Sequence, residues 1–261
     1  MQLLTIKKVS NDRKKVTVET YKSSRSKYSK LKETLELETE YLRPLVKGIN
    51  IKRFHIEPPD YVVAFPYDKE HYKTPIAGPE LYKKSKMLYE YYERNKDYLN
   101  QQNTYSNKII NNVSAEYYAL ARTGIYSHAK YYVIYRDNTK WVSTVVGEMD
   151  TEWGGKKIPA FQNHCVSICQ DSNGNFITED EAHYICGILN SHIVEDYILS
   201  SSDKRTFKVR LPIKILKYDA KNKMHVKLSN LSKEAHDKCH DEVKIEKIRN
   251  EIDKLYMSTL K

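Results

Sequence analysis

Residues near the C-terminus have the spacing of metal ligands on one turn of a helix: His236, Cys239 and His240. A structural zinc site takes four ligands, and the sequence offers no second pair of matching spacing. His183 and Cys186 lie three residues apart on another predicted helix, where Cys186 is expected to face the core. We therefore interpret these side chains as parts of the helix packing and predict no metal site.

Two acids, Asp60 and Glu70, are candidates for a metal-dependent nuclease. Such an enzyme needs an acid-x-Lys pair to share the metal ion and activate water, and residue 72 is a tyrosine. Pro58 and Pro59 are similar to the Pro-Pro-aromatic motif with which amino methyltransferases hold a flipped base, but Asp60 stands where the aromatic residue is required. The prolines predict a rigid turn before a strand. A metal-dependent nuclease is kept as an alternative.

The common cofactor and hydrolase signatures are absent from the sequence. It contains no phosphate loop of the G-x-x-x-x-G-K-[ST] type, no G-x-G-x-x-G, no H-E-x-x-H and no G-x-S-x-G. We therefore assign no catalytic residue and predict that this chain alone is not catalytic.

The segment from Lys204 to Arg210 is the strongest local indication of a nucleic-acid contact. Cationic and apolar residues alternate in it, so as a strand it would bury Phe207 and Val209 on one face. The segment would present Arg205, Lys208 or Arg210 for contacts. The serines at 200–202 offer hydroxyl donors suited to phosphate oxygens. The alternative is an edge strand that its lysines protect from aggregation.

Arginine is scarce, with 10 residues against 34 lysines, so each arginine carries more information than a lysine. Arginine can also engage guanine with two hydrogen bonds. Two predicted loops combine arginine with other contact-forming residues: Arg122 with Tyr126, and Arg136 with Asn138 and Lys140. Lys156 lies in the segment 153–157, Trp-Gly-Gly-Lys-Lys, which predicts an exposed, flexible loop tip.

The formal net charge of +10 is unevenly distributed along the chain. Residues 1–32 carry +8 and residues 204–217 carry +6, whereas residues 33–203 carry −6 and residues 218–261 carry +2. Clustered cations attract phosphates. The pattern therefore indicates a mildly acidic body with two basic elements rather than a uniformly basic protein.

The elements that must position these residues are separated strands and helices without regular βαβ alternation, which is typical of an α+β fold. We predict a hairpin around Asn11 and Asp12, and further strands in the middle of the chain. A long helix is expected near 80–100, and a helix capped by Thr178 and Glu181 near 178–199. Two more helices are expected from Val226 to about Met257.

The domain prediction follows from composition. The Ser- and Lys-rich stretch 22–32 predicts a linker, so we assign residues 1–40 to an N-terminal hairpin and basic linker and residues 41–261 to one domain. No run approaches the roughly 18 apolar residues of a membrane span, and the first residues lack the apolar core of a signal peptide. We expect a cytoplasmic protein without membrane contact, whose four cysteines are reduced.

Several blocks resemble one known family, in this order: LRPLVKGINIKRF (42–54), YALARTGIY (118–126), FQNHCVSI (161–168), and TEDEAHYICGILNSHIVEDYI (178–198) followed by FKVRLPIKILKYD. They are similar to the C-terminal target-recognition (specificity) domain of type II restriction-modification enzymes. These are fused adenine methyltransferase and endonuclease enzymes and related adenine-specific DNA methyltransferases, including the TaqI-like group. The resemblance runs from about Leu42 to the end of the chain.

The resemblance implies a domain that reads double-stranded DNA for a methyltransferase or endonuclease part in cis or in trans. S-adenosylmethionine and Mg²⁺ would be cofactors of that part, and none is expected in this chain, because the methyl-donor and Pro-Pro-aromatic motifs are absent. A subunit that interacts only with protein is another alternative. The expected DNA contacts are Arg122, Tyr126, Arg136, Asn138, Lys140, Lys156, Asn163, Arg205, Lys208 and Arg210.

Overall fold

The computed structural model describes residues 3–20, 33–100, 116–162, 164–203, 205, 207, 213 and 215–259. The fold is α+β, as predicted. The chain divides into two compact units, each made of three separate stretches. Unit 1 comprises Met1–Leu45, Asp60–His128 and Glu148–Ala160, and unit 2 comprises Val46–Pro59, Ala129–Gly147 and Phe161–Lys261.

The described strands are, in chain order, β1 (Leu4–Val9), β2 (Lys15–Thr20), β3 (Thr34–Glu38), β4 (Leu42–Val46), β5 (Ile51–Lys52), β6 (His55–Ile56), β7 (Val62–Ala64), β8 (Tyr132–Arg136), β9 (Ser143–Val146), β10 (Met149–Thr151), β11 (Gly155–Lys157), β12 (Ala160–Phe161) and β13 (Cys165–Ile168). The described α-helices are α1 (Gly78–Lys84), α2 (Lys86–Arg94), α3 (Glu179–Leu189), α4 (His192–Ser201), α5 (Lys223–Asp237) and α6 (Glu242–Thr259). Short 3-10 turns cover Gly48–Asn50 and Ile125–His128.

Unit 1 is built on a sheet with the strand order β12-β4-β7-β1-β2-β3. β1 and β2 form the hairpin that the sequence predicts, with Leu4 opposite Thr20. Alternation along β2 buries Val16 and Val18 in the core. β3 and β4 belong to the same sheet, so the strands on both sides of the predicted boundary at residue 40 share one sheet. The predicted linker at 22–32 lies outside the described residues.

The long helix predicted near residues 80–100 is divided into α1 and α2 at Ser85. Glu38, at the end of β3, explains the break. Its carboxylate accepts hydrogen bonds from the Ser85 hydroxyl at 2.8 Å, the Met87 N–H at 2.9 Å and the Leu88 N–H at 3.2 Å. An acid from a distant strand therefore satisfies the first N–H groups of α2 and favours a new helix start there.

The exposed loop tip predicted around Lys156 is instead a β-hairpin, in which Thr151 of β10 lies opposite Gly155 of β11. Trp153 is buried in the unit 1 core, so the prediction was wrong for this residue. Gly155 has a φ of +68°, which glycine adopts without strain. The tip is thus anchored by an aromatic side chain, and Lys156 remains exposed on it.

Unit 2 contains a three-stranded antiparallel sheet in the order β13-β8-β9. The central strand β8 is buried from Tyr132 to Tyr135. Asn190, at the end of α3, joins a helix to this sheet, because its side chain accepts from the Ser143 N–H and donates to the Ser143 carbonyl. The Asn190 amide therefore makes, at the edge of β9, the pair of backbone hydrogen bonds that a neighbouring strand would make.

The helices of unit 2 follow the sequence predictions closely. Thr178 caps α3 by accepting from the Glu181 N–H at 3.2 Å. The predicted helix near 178–199 is divided at Asn190, and Ser191 caps α4. The two expected C-terminal helices are α5 and α6. Among the helices that the structure describes, none has the length and apolarity needed to cross a membrane.

Candidate nucleic-acid interface

The turn that joins β8 to β9 carries three of the predicted contact residues. Arg136 Nε donates to Asn138 Oδ1 at 3.0 Å. Thr139 has a φ of +60°, and the Lys140 N–H donates to the Asn138 carbonyl at 2.7 Å, which closes the turn. Asn138 thus fixes one side of the Arg136 guanidinium, and the exposed Lys140 lies on the same turn.

The basic segment is attached to this turn through Phe207. The Phe207 N–H donates to the Asp137 carbonyl at 2.6 Å, and its ring packs edge-on against Trp141 at a centroid distance of 5.8 Å. Phe207 is fully buried, as the sequence predicts. Arg205, two residues earlier, is exposed. The contact therefore joins the described part of the basic segment, which carries Arg205, to the turn that carries Arg136 and Lys140.

His164 joins the same group, although sequence reasoning did not select it. The His164 ring donates from Nδ1 to Asp137 Oδ1 at 2.8 Å. The register of β13 on β8 places Cys165 opposite Arg136, so His164 and Asp137 become neighbours. No local pattern signals this pairing, because 27 residues separate the two. We call the following residues the basic cluster: Arg136, Asp137, Asn138, Lys140, His164 and Arg205.

The groups beneath the basic cluster stay neutral at physiological pH. Burial raises the pKa of the Cys165 thiol, and the nearby Asp137 carboxylate adds to the shift. Burial, followed by the same carboxylate, raises the pKa of Tyr135 to about 12. Neither group therefore adds negative charge beside Arg136 and Lys140.

Two of the three serines predicted to donate to phosphate do not present their hydroxyls to solvent. Ser200 donates to the Tyr197 carbonyl within α4. The hydroxyl oxygens of Ser201 and Ser202 are buried. The prediction was wrong for Ser201 and Ser202 because α4 extends to Ser201 and turns the end of the serine run into the protein.

Three predicted contacts lie in unit 1, away in sequence from the basic cluster. Arg122 is exposed and has a left-handed backbone with a φ of +59°. Tyr126 is 40% exposed on a 3-10 turn, and its ring covers Gly124 so closely that a Cβ there would lie 2.5 Å from it. Lys156 is exposed on β11 opposite Asp150. The predicted contacts are therefore divided between the two units.

The remaining predicted contacts lie outside the described residues and stay predictions: Asn163, Lys208 and Arg210.

His236, one of the residues with the spacing of metal ligands, is hydrogen-bonded within unit 2. His236 Nδ1 donates to the Ser232 carbonyl at 2.7 Å, and Nε2 accepts from the Val145 N–H at 3.1 Å. Both ring nitrogens of His236 are thus engaged in hydrogen bonds within the protein. Burial lowers its pKa, which keeps the ring neutral. Cys186 is buried in the core, as expected.

Asp60 and Glu70, the acids of the nuclease alternative, are both exposed in unit 1. No group of three or more metal-binding side chains occurs among the residues that the structure describes.

A scan against protein-family models finds no matching family, and a search of curated proteins finds no similar protein.

Proposed function

We propose that this chain is a sequence-specific recognition domain for duplex DNA that belongs to a restriction-modification enzyme. It would position a methyltransferase or endonuclease part, carried in cis or in trans, on its target site. This part would use S-adenosylmethionine and Mg²⁺, and the present chain would use neither.

The observation that carries the proposal is the contact between two basic stretches of sequence in the basic cluster. Arg136, Lys140 and Arg205 come from two stretches of sequence that are joined by the Phe207–Asp137 hydrogen bond. Cations gathered in this way bind phosphates and release counterions, which is the main source of affinity for duplex DNA.

Arg136 is the residue of the cluster best suited to read a base. Its Nε is held by Asn138, which fixes the plane of the guanidinium. A guanidinium with a fixed plane can direct its two terminal N–H groups at O6 and N7 of one guanine. Lys140 and Arg205 are exposed and are better suited to phosphates.

The test is a double substitution, Arg136→Ala with Arg205→Ala. Binding to a pool of random duplexes is measured over a range of salt concentrations, and bound sequences are recovered. Wild-type protein should enrich particular sequences and lose affinity steeply with salt. If both side chains contact phosphates, the double variant lowers the slope of log K against log salt by about 1.8. If Arg136 reads a base, enrichment at one position is lost instead.

The matched control is Lys247→Ala with Lys254→Ala, which removes two exposed charges from α6 of the same unit. It should leave both the slope and the enriched sequences unchanged. Equal losses in both double variants would mean that only net charge matters, and this would contradict the proposal. Absence of binding to any duplex at low salt would favour a subunit that interacts only with protein.

A further inference from the structure

His164 is held at the surface of the basic cluster by a buried acid. Asp137 Oδ1 lies 2.8 Å from His164 Nδ1; the Asp137 side chain is 11% exposed and that of His164 is 52% exposed. A carboxylate can only accept a hydrogen bond, so Nδ1 is the donor. The acid is thus fixed within the protein, and the ring that it orients stands in solvent.

The backbone of His164 also has an uncommon conformation. Its φ is +69°, a left-handed conformation that is uncommon for residues other than glycine. The His164 carbonyl oxygen approaches Gly48 so closely that a Cβ at Gly48 would lie 2.7 Å from it. Such conformations persist where the surroundings enforce them, and they are concentrated at functional sites.

The ring geometry decides what His164 can offer to a ligand. Nδ1 and Nε2 are separated by one ring carbon and their N–H bonds diverge, so the bond from Nδ1 to Asp137 leaves Nε2 as the second donor position of a half-exposed ring. A protonated imidazole donates from both nitrogens. We propose that His164, as an imidazolium, donates its Nε2–H to a DNA phosphate and that Asp137 is its positioning residue. This inference rests on the proposed DNA-binding function and adds a contact that depends on pH.

The charged and titratable groups that the structure places beside His164 come from β8 with its turn and from the start of β13. β8 and its turn contribute Asp137 and Arg136, whose Cγ also packs against the Gly48 position. β13 begins with Cys165, whose thiol is kept neutral by a pKa raised through burial. Imidazole is the side chain in this set that ordinarily titrates near neutral pH.

The experiment measures duplex binding against salt concentration at pH 5.5 and at pH 8.5. At pH 5.5, His164→Ala should lower the slope of log K against log salt by about 0.9, the value for one phosphate, on every sequence tested. At pH 8.5 the wild type and the variant should bind alike. The matched control is His71→Ala in unit 1, because His71 Nδ1 also lies 2.8 Å from a carboxylate, that of Asp68. This control should match the wild type at both pH values.

Substitutions of Asp137 test its positioning role. Asp137→Asn keeps an oxygen that accepts from Nδ1 and should retain most of the slope at pH 5.5. Asp137→Ala should lose as much slope as His164→Ala, and the double variant should lose no more than either. Thermal melting shows which variants are folded, so that a loss caused by unfolding is recognised. A full slope in folded Asp137→Ala would remove the positioning role.

The outcomes separate this inference from the proposed function. If the wild type binds duplex DNA and His164→Ala has the same slope at pH 5.5, the phosphate contact is wrong and DNA binding stands. A loss restricted to certain sequences would assign His164 to a base and also overturn the phosphate contact. If the wild type binds no duplex, the proposed function fails and this inference fails with it.

Discussion

At the scale of single residues, the histidines of unit 2 are of two kinds. His164 stands at the surface and faces the solvent beside Asp137, whereas His183 and His236 are packed between helices. The rings of His183 and His236 lie 4.7 Å apart, edge to face, and His183 Nδ1 lies 3.4 Å from the Ser232 hydroxyl. Residue type and spacing alone allowed His183 and His236 to be metal ligands and did not select His164. Their hydrogen-bond partners, which come from distant parts of the sequence, distinguish them.

A pH prediction follows from His183. Burial, and then the neighbouring His236, lower its pKa to about 3 from the ordinary value of 6.5. Below pH 6.5 the unfolded chain therefore binds a proton that the folded protein rejects, so stability falls as pH decreases. His183→Gln should make the free energy of unfolding less dependent on pH between 6.5 and 4.5, by up to ~1.4 kcal/mol per pH unit.

Urea unfolding of the wild type and His183→Gln at several pH values measures this difference. The range from pH 7.5 to 8.5 is the internal control, because there the two curves should run parallel whatever the substitution costs. Parallel curves below pH 6.5 as well would show that His183 is not kept neutral by burial.

At the scale of elements, the sequence predicts where helices lie better than where they break. The 3.6-residue periodicity correctly indicates helix within 80–100, within 178–199 and at the C-terminal end. The break at Ser85 involves Glu38, which is distant in sequence, whereas the helix after Asn190 starts at a local cap, Ser191, that periodicity does not report. Periodicity reports the face that a helix buries, and it contains no information on a partner that arrives from another element.

The break at Ser85 gives a prediction on stability. Glu38→Ala removes a carboxylate that accepts three hydrogen bonds at the start of α2. Loss of such a charged cap should cost about 1–2 kcal/mol. The matched control is Glu36→Ala, an exposed residue of the same strand, which should change stability by less than about 0.5 kcal/mol. Equal melting temperatures for the two variants would show that Glu38 does not stabilise the start of α2.

At the scale of the whole molecule, the sequence predicts the fold class, whereas the pairing of distant strands is visible only in the structure. β1 lies between β2, its neighbour in sequence, and β7, with Leu4 opposite Val62. Each unit therefore gathers three separate stretches of chain. Local composition, on which the boundary at residue 40 depended, reports linkers and charge runs but not pairing between distant strands. For the same reason, composition identifies Arg136 and Arg205 as separate candidates. It contains no information on the hydrogen bond between Phe207 and Asp137 that joins their two stretches of chain.

The last prediction concerns the activity of the whole chain. With S-adenosylmethionine and duplex DNA the purified protein should transfer no methyl group, and with Mg²⁺ it should leave plasmid DNA intact. The reason is chemical: the sequence has neither a methyl-donor motif nor the Pro-Pro-aromatic motif that holds a flipped adenine, and Asp60 and Glu70 lack the lysine that an acid-x-Lys pair supplies.

Transfer of a labelled methyl group and conversion of supercoiled plasmid are the two readouts. Methylation by this chain alone would contradict its assignment as a recognition domain, and cleavage with Mg²⁺ would establish the nuclease alternative. If a methyltransferase part encoded beside this chain is added and methylation then appears at the sequences that the chain alone enriches, recognition and chemistry are carried by separate polypeptides.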